Sequence, residues 1–198
     1  MNLPNKLTVL RFLIAIVYFI ILSFYDKAEA ATAWLMRPAL LLFIIAALTD
    51  FFDGYLARRY QTVTKFGRIS DPLIDKIIIC GSFIFFTGWN NLNYFLPPWI
   101  VVVIVAREFM VSGLRGLMES QGIPFASTIW GKQKMLCQTI MIIWSLFYLG
   151  YPGLIIPVVW STVILQTLVW VTLVLTVLSG LVYFLQVGIW KEINRNLS

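Results

Sequence analysis

The chain has 198 residues, of which 60% are hydrophobic and only 12% are charged, and its mean hydropathy is +0.87. An average soluble domain carries about 25% charged residues, so this composition argues against a soluble protein and predicts one integral membrane domain over residues 1–198. The net charge of +6 is then assigned to the ends of membrane spans rather than to nucleic-acid binding, and the absence of histidine excludes HExxH zinc sites and Ser-His-Asp triads.

Six apolar segments follow one another along the chain. A helix that crosses a bilayer needs about 20 mostly apolar residues, and each segment is close to that length or longer. The pattern therefore predicts an all-α integral membrane fold of six transmembrane helices. The segments are 7–24, 36–56, 72–88, 97–117, 131–149 and 157–188.

The positive charges favour one side of this predicted bundle. Of the 15 lysines and arginines, all but Lys27 and Arg37 fall at or near the segment ends on the side of the N-terminus. Cytoplasmic ends of membrane spans are enriched in such residues, so an even number of spans with both termini in the cytoplasm is expected. The alternative, a cleaved signal peptide ending near residues 27–31, would leave five spans and would not explain the charge pattern.

Four of the nine acidic residues lie in LTDFFDGYLARRYQTVTKFGRISDPLIDK, residues 48–76. Asp50 and Asp53 are three residues apart at the end of the second segment, and Asp71 and Asp75 are four apart at the start of the third. Each pair therefore lies on one face of a helix. The connection between the two helices is short, so the two faces are expected to meet at the cytoplasmic edge of the membrane.

Carboxylates gathered in this way repel one another and need a cation. Hard oxygen ligands without histidine or thiol indicate Mg²⁺ or Mn²⁺, and four carboxylates suit two ions about 4 Å apart, as in phosphoryl transfer. Gly54, Ala57 and Gly67 keep the same faces small, which allows a phosphate or sugar close to the backbone, and Arg58 is placed to pair with a phosphate. Close helix packing in lipid is the other use of such glycines.

These residues form the pattern D-x2-D-G-x2-A-R-x8-G-x3-D-x3-D, with every fixed position occupied. The chain thereby resembles the CDP-alcohol phosphotransferases, membrane enzymes that move a phosphatidyl or similar group from a CDP-linked donor to an alcohol. The resemblance implies a six-helix fold, a homodimer, and a metal site open to the cytoplasm. It also implies that Asp50, Asp53 and Asp71 bind the metals, that Asp75 is the general base and also contacts a metal, and that Asp53, Gly54, Ala57, Arg58 and Gly67 line the CDP pocket.

Three further blocks bear on the acceptor alcohol: MNLPNKLTVLRF at the start, REFMVSGLRGLMESQG at 107–122, and WGKQK at 130–134. They resemble the bacterial members of the family that use sn-glycerol 3-phosphate as acceptor and CDP-diacylglycerol as donor, in the bacterial cytoplasmic membrane. Met135 departs from that resemblance, since a small hydroxyl residue is expected there. Glu108 is expected to orient an arginine rather than to react. The resemblance implies that the acceptor phosphate is bound by Arg107, Arg115, Lys132 and Lys134, although the positive-inside rule and pairing with lipid headgroups would explain any one of them.

Asn5, Thr8 and Arg11 recur at three-residue spacing in the first segment and can share a helical face near the site, although a helix cap or a headgroup contact would explain them equally well.

Two alternatives for the function also stay open. The first is the same enzyme class with another acceptor: inositol or its phosphate, serine, choline or phosphatidylglycerol. The second is a cation transporter whose aspartates bind a permeating ion.

Overall fold

A computed structural model describes residues 3–25, 30–60, 65–89, 92, 94–123, 128–151 and 157–197; within these ranges the side chains of 3–6, 30–31, 51–60, 65–69, 158, 187 and 189–197 are outside the description. This part of the chain contains six long α-helices, one short 3-10 helix and no β-strand. The α-helices are α1 (Leu3–Ser23), α2 (Met36–Tyr60), α3 (Lys65–Thr87), α4 (Pro98–Ser120), α5 (Ile129–Gly150) and α6 (Val158–Leu197), and the 3-10 helix is Ala30–Leu35.

The all-helical class predicted from the sequence is confirmed, and each predicted segment coincides with one long helix. The helix starts differ most at α3, which begins at Lys65 rather than at residue 72. The prediction followed the onset of apolar residues and so omitted the polar first turns, and Pro72 lies inside the helix instead of opening it. For the same reason, α2 and α6 run further into polar sequence than predicted, to Tyr60 and Leu197.

Two stretches within the described helices are long and apolar enough to cross a membrane: Thr32–Asp50, with a mean hydropathy of 1.8, and Val159–Gln186, with 2.3. Leu7–Ser23 is apolar but shorter. The spanning of all six helices therefore stays a prediction.

The helices form a ring in the spatial order α1, α2, α5, α6, α4, α3, and α3 also contacts α5 across it. Some neighbouring helices in the ring are parallel and others are antiparallel. Trp99 on α4 lies beside Trp170 on α6, with ring centroids 6.4 Å apart, and further along both helices Arg107 lies beside Tyr183, so these helices are parallel. The beginning of α2 meets the end of α5, where Arg37 Nε donates to the carbonyl of Gly150 at 3.1 Å, so this pair is antiparallel.

The interior is a continuous apolar cluster that includes Tyr18, Phe43, Phe83 and Ile104, each no more than 2% exposed. The outer surface is also apolar. On α1, side chains one helical turn or so apart are about half exposed, and in water such a surface would favour aggregation or association. These side chains are Leu10, Leu13, Val17 and Ile20.

Candidate active site

The buried charges lie at one end of the ring, and one of them joins three helices. Arg11 on α1 is fully buried, and its Nη1 atom lies 2.8 Å from Oδ1 of Asp50 on α2 and 3.2 Å from Oδ1 of Asp75 on α3. Both carboxylates remain partly accessible, with side-chain exposures of 30% and 27%. The first helix therefore supplies the cation that holds the two acidic helices together.

A second residue of α1 contacts Asp71. Thr8, which is 2% exposed, donates a 2.7 Å hydrogen bond to Oδ1 of Asp71. Thr8 and Arg11 are three residues apart, as the shared helical face predicted. Thr8 lies inside α1 and contacts a carboxylate on α3, so it is not a helix cap. Asn5 lies in α1, but its side chain is outside the described set.

The donors in this acidic group suit a hard divalent cation. Asp50, Asp71 and Asp75 present carboxylate oxygens, the ligands preferred by Mg²⁺ and Mn²⁺, and a single guanidinium faces two of them. Among the side chains that the structure describes, no three acidic or thiol groups form a complete metal site. Asp53, the fourth predicted ligand, lies in α2 with its side chain outside that set. The chemistry of the donors fits the ion, and the full ligand set stays a prediction.

The predicted CDP pocket also stays a prediction. Its residues belong to the end of α2 and the beginning of α3, where the backbone is helical and the side chains lie outside the description. These residues are Asp53, Gly54, Ala57, Arg58 and Gly67.

Beside the acidic group, a cavity of about 270 Å³ lies among α3, α4, α5 and α6. It brings together the four basic residues predicted from the sequence, although they come from two helices and are up to 27 positions apart. Asp75 lines the same cavity, so an acidic group of the motif and the basic residues face one space. The charged residues that line it are Asp75, Lys76, Arg107, Glu108, Arg115, Lys132 and Lys134.

Glu108 organises the basic side of this cavity. Its Oε1 atom accepts a hydrogen bond from Arg107 Nη1 at 3.2 Å and another from Lys134 Nζ, and all three side chains are buried. Glu108 thus orients an arginine, as expected, and a lysine as well. Within the described part of the chain, the buried atoms Arg107 Nε, Arg107 Nη2 and Arg115 Nε have no hydrogen-bond partner. Buried charged donors without partners are suited to an anionic ligand.

The lining residues that sequence reasoning missed include Lys76, Gln138 and Tyr183. Lys76 follows Asp75 directly and Gln138 is one helical turn after Lys134, so the spacing alone could have suggested both. Nothing in the sequence points to Tyr183, which comes from the last helix.

Tyr183 closes one side of the cavity. Its hydroxyl accepts a hydrogen bond from the backbone N–H of Thr128 at 3.2 Å, and its ring centroid lies 5.6 Å from Cζ of Arg107. Gly131 lies against it, since a Cβ at that position would be 3.0 Å from the Tyr183 hydroxyl oxygen. The space in front of Lys132 and Lys134 therefore depends on a residue without a side chain.

A second cavity, of about 320 Å³, lies among α2, α3 and α5. Its walls are mainly apolar, as with Phe43, Ile78 and Leu136, yet it also reaches Asp50. The two cavities share several lining residues, so Asp75 belongs to the wall of a basic cavity and of an apolar one. The shared residues are Asp75, Ile79, Lys132 and Met135. This arrangement suits a substrate with both a charged and an apolar part.

Comparisons with known proteins agree with this geometry. The family model described as CDP-alcohol phosphatidyltransferase matches residues 1–189. Relatives named CDP-diacylglycerol–glycerol-3-phosphate 3-phosphatidyltransferase include one from Rickettsia felis, 35% identical over 183 residues, and one from Bacillus subtilis, 35% identical over 189 residues; each alignment covers 92% of this chain and 93% of the relative. A relative of the same name from Shigella flexneri serotype 5b is 32% identical over 184 residues, 92% of each chain. The chain therefore belongs to the membrane-associated CDP-alcohol phosphatidyltransferase family, whose enzymes generally use divalent metal ions.

Proposed function

We propose that this protein transfers the phosphatidyl group of CDP-diacylglycerol to sn-glycerol 3-phosphate, which forms phosphatidylglycerophosphate and releases CMP. The names of the relatives support both substrates. The observation that carries the proposal is that Asp75 lines the same cavity as Arg107, Arg115 and Lys134. A carboxylate that can receive a hydroxyl proton and cations that can bind a phosphate are the two groups that this acceptor requires.

The acceptor phosphate is a dianion, and the basic side of the cavity is built to hold it. Arg107 and Arg115 offer buried N–H donors that have no partner among the described residues, and Lys134 is held by Glu108 beside them. Charge-assisted hydrogen bonds of this kind are short and strong, and a guanidinium binds a phosphate with fixed geometry. Lys132 is exposed and lines both cavities, so it adds positive charge where they meet.

Asp75 is then the group that receives the proton from the C1 hydroxyl of the acceptor. The hydroxyl oxygen attacks the lipid-side phosphorus of the donor, the bond from that phosphorus to the bridging diphosphate oxygen breaks, and CMP leaves. Arg11 and Asp50 position Asp75 for this step through the shared guanidinium. Most of the stabilisation comes from positioning and neutralising charge.

Asp50, Asp53, Asp71 and Asp75 are the residues that would hold two Mg²⁺ or Mn²⁺ ions, with Thr8 orienting Asp71. When bound, such ions supply positive charge against the donor diphosphate and the departing phosphate. Beside them, the cytidine diphosphate would lie against Asp53, Gly54, Ala57, Arg58 and Gly67. The apolar cavity, which ends at Asp50 and Asp75, suits the lipid part of the donor.

The proposal also covers the cellular location and the membrane topology of the protein. The chain would be one domain of six membrane-spanning helices in the bacterial cytoplasmic membrane, a homodimer that binds no nucleic acid, with both termini and the site facing the cytoplasm. Two observations support this topology. The exposed face of α1 is apolar, as lipid contact requires, and the basic cavity lies at the opposite end of the ring from Arg37, as the positive-inside rule predicts.

The test is a panel of acceptors. Purified protein in detergent receives CDP-diacylglycerol with glycerol 3-phosphate, inositol, inositol phosphate, serine, choline or phosphatidylglycerol, each with and without EDTA, and CMP release is measured. We expect release with glycerol 3-phosphate alone, abolished by EDTA and restored by excess Mg²⁺ or Mn²⁺. Turnover with another alcohol and not with glycerol 3-phosphate would reject the acceptor. Cation uptake into proteoliposomes without any CMP release would reject the enzyme class.

A further inference from the structure

A buried amide in the basic cavity has no role in the chemistry described so far. Gln138 is 1% exposed and lines the cavity, and its Nε2 atom has no hydrogen-bond partner among the described residues. It lies on α5 one helical turn after Lys134. An amide donor buried without a partner destabilises a protein, so its presence beside a cavity indicates that a ligand supplies the partner.

The other uncharged polar groups of the cavity are already engaged within the protein. Ser112 Oγ donates to the carbonyl of Glu108 at 2.8 Å, and the Tyr183 hydroxyl accepts from the N–H of Thr128. Among the described uncharged lining side chains, Gln138 is the one with a buried donor atom that has no hydrogen-bond partner.

One neutral polar group of the acceptor has no partner in the site as described so far. In sn-glycerol 3-phosphate, the phosphate matches Arg107, Arg115 and Lys134, and the C1 hydroxyl matches Asp75. The C2 hydroxyl, which lies between these two groups, has no assigned partner. Gln138 lines the same cavity as Asp75 and Lys134, so a molecule bound to both would share that cavity with its amide.

We propose that Gln138 donates a hydrogen bond to the C2 hydroxyl of the acceptor and thereby selects glycerol phosphate over phosphorylated alcohols that lack this group. The inference rests on the proposed function and deepens it. A site built to hydrogen-bond a hydroxyl discriminates against the analogue without it, because the buried donor is then left unpaired.

The experiment compares two acceptors that differ only in this group. The kcat/KM values for sn-glycerol 3-phosphate and 3-hydroxypropyl phosphate, which lacks the C2 hydroxyl, are measured for the wild-type protein and for Gln138→Met, whose side chain has a similar size and no donor. Thr172→Val is the matched control. Thr172 is fully buried and its Oγ1 also has no described partner, yet it lines neither cavity.

We expect the wild-type protein and Thr172→Val to prefer glycerol 3-phosphate by about tenfold or more. In Gln138→Met, kcat/KM for glycerol 3-phosphate should fall by about the same factor, with little change for the analogue, so that the preference disappears. If Gln138→Met cannot be purified, Gln138→Asn, whose amide is one methylene shorter, should show the same loss of preference.

An equal loss for both acceptors would overturn the inference, because it would mean that Gln138 supports the fold or holds a water molecule. A preference that survives the substitution would overturn it as well. Failure of the proposed function would look different, since the wild-type protein itself would then turn over neither compound, and this inference would fail with it.

Discussion

The guanidinium of Arg11 lies 2.8 Å from the carboxylate of Asp50, across 39 positions of sequence and between two helices. Arg11 is fully buried, whereas Asp50 remains partly open to the cavity beside it. The same nitrogen also reaches Asp75. The first helix, which lies outside the aspartate motif, is therefore part of the candidate site.

Replacing Arg11 should weaken both the fold and the activity. In Arg11→Met, Asp50 and Asp75 lose the cation between them, so we expect the free energy of unfolding to fall by about 2 kcal/mol. Thermal unfolding in detergent measures the change. Arg37→Met is the comparison variant, because Arg37 is an exposed arginine at the opposite end of the bundle whose Nε bonds one neutral carbonyl rather than two carboxylates, so a smaller loss is expected. Stability of Arg11→Met equal to that of the wild-type protein would show that the Arg11 contacts contribute nothing.

The four aspartates should separate by role. Asp50→Asn, Asp53→Asn and Asp71→Asn are expected to lose both Mn²⁺ binding and turnover, because each removes a charged oxygen ligand. Asp75→Asn is expected to lose turnover more than donor binding, because it removes the proton acceptor. Electron paramagnetic resonance of Mn²⁺ and CMP release provide the two readouts. Undiminished activity in all four variants would show that these aspartates do not form the active site.

Arg107 should affect the acceptor and not the donor. Arg107→Met removes buried N–H donors that have no described protein partner, so we expect kcat/KM for glycerol 3-phosphate to fall by about tenfold to a hundredfold. The KM for CDP-diacylglycerol should stay within about twofold. Steady-state kinetics with each substrate varied in turn checks both values. A loss confined to the donor KM would place the acceptor phosphate elsewhere.

The cavity in front of Tyr183 should be sensitive to one added methyl group. In Gly131→Ala, the new Cβ would lie 3.0 Å from the Tyr183 hydroxyl oxygen and 3.3 Å from Thr128 Oγ1. We expect kcat/KM for the acceptor to fall about fivefold, equivalent to about 1 kcal/mol of overpacking. Gly113→Ala is the control, since a Cβ there meets nothing within 4 Å. An unchanged kcat/KM in Gly131→Ala would mean that this wall does not limit the acceptor.

Much of the fold was predictable, because its signals are local. Apolar segments of membrane-spanning length predicted each of the six helices, and the three-residue spacing of Thr8 and Arg11 predicted their common face. The start of α3 was harder to predict, because its first turns are polar and hydropathy does not mark them. Helix ends in polar sequence depend on backbone hydrogen bonds rather than on apolar composition.

The candidate site was also predictable in part. The motif identified its aspartates, and resemblance identified the four basic residues that meet in one cavity. The pairing of Arg11 with two carboxylates, the bridging role of Glu108 and the presence of Tyr183 depend on which helices become neighbours in the ring. That packing order is a long-range property, and the spacing of residues along one helix does not contain it.

In the proposed reaction, the acceptor hydroxyl, held in the basic cavity, attacks the phosphatidyl phosphorus. Mass spectrometry can test this step on the products that the wild-type protein forms from CDP-diacylglycerol and sn-glycerol 3-phosphate labelled with ¹⁸O at the C1 hydroxyl. We expect phosphatidylglycerophosphate that carries the label, together with unlabelled CMP. Phosphatidic acid in place of phosphatidylglycerophosphate would show that water is the nucleophile and would contradict the proposed reaction, as would label in CMP.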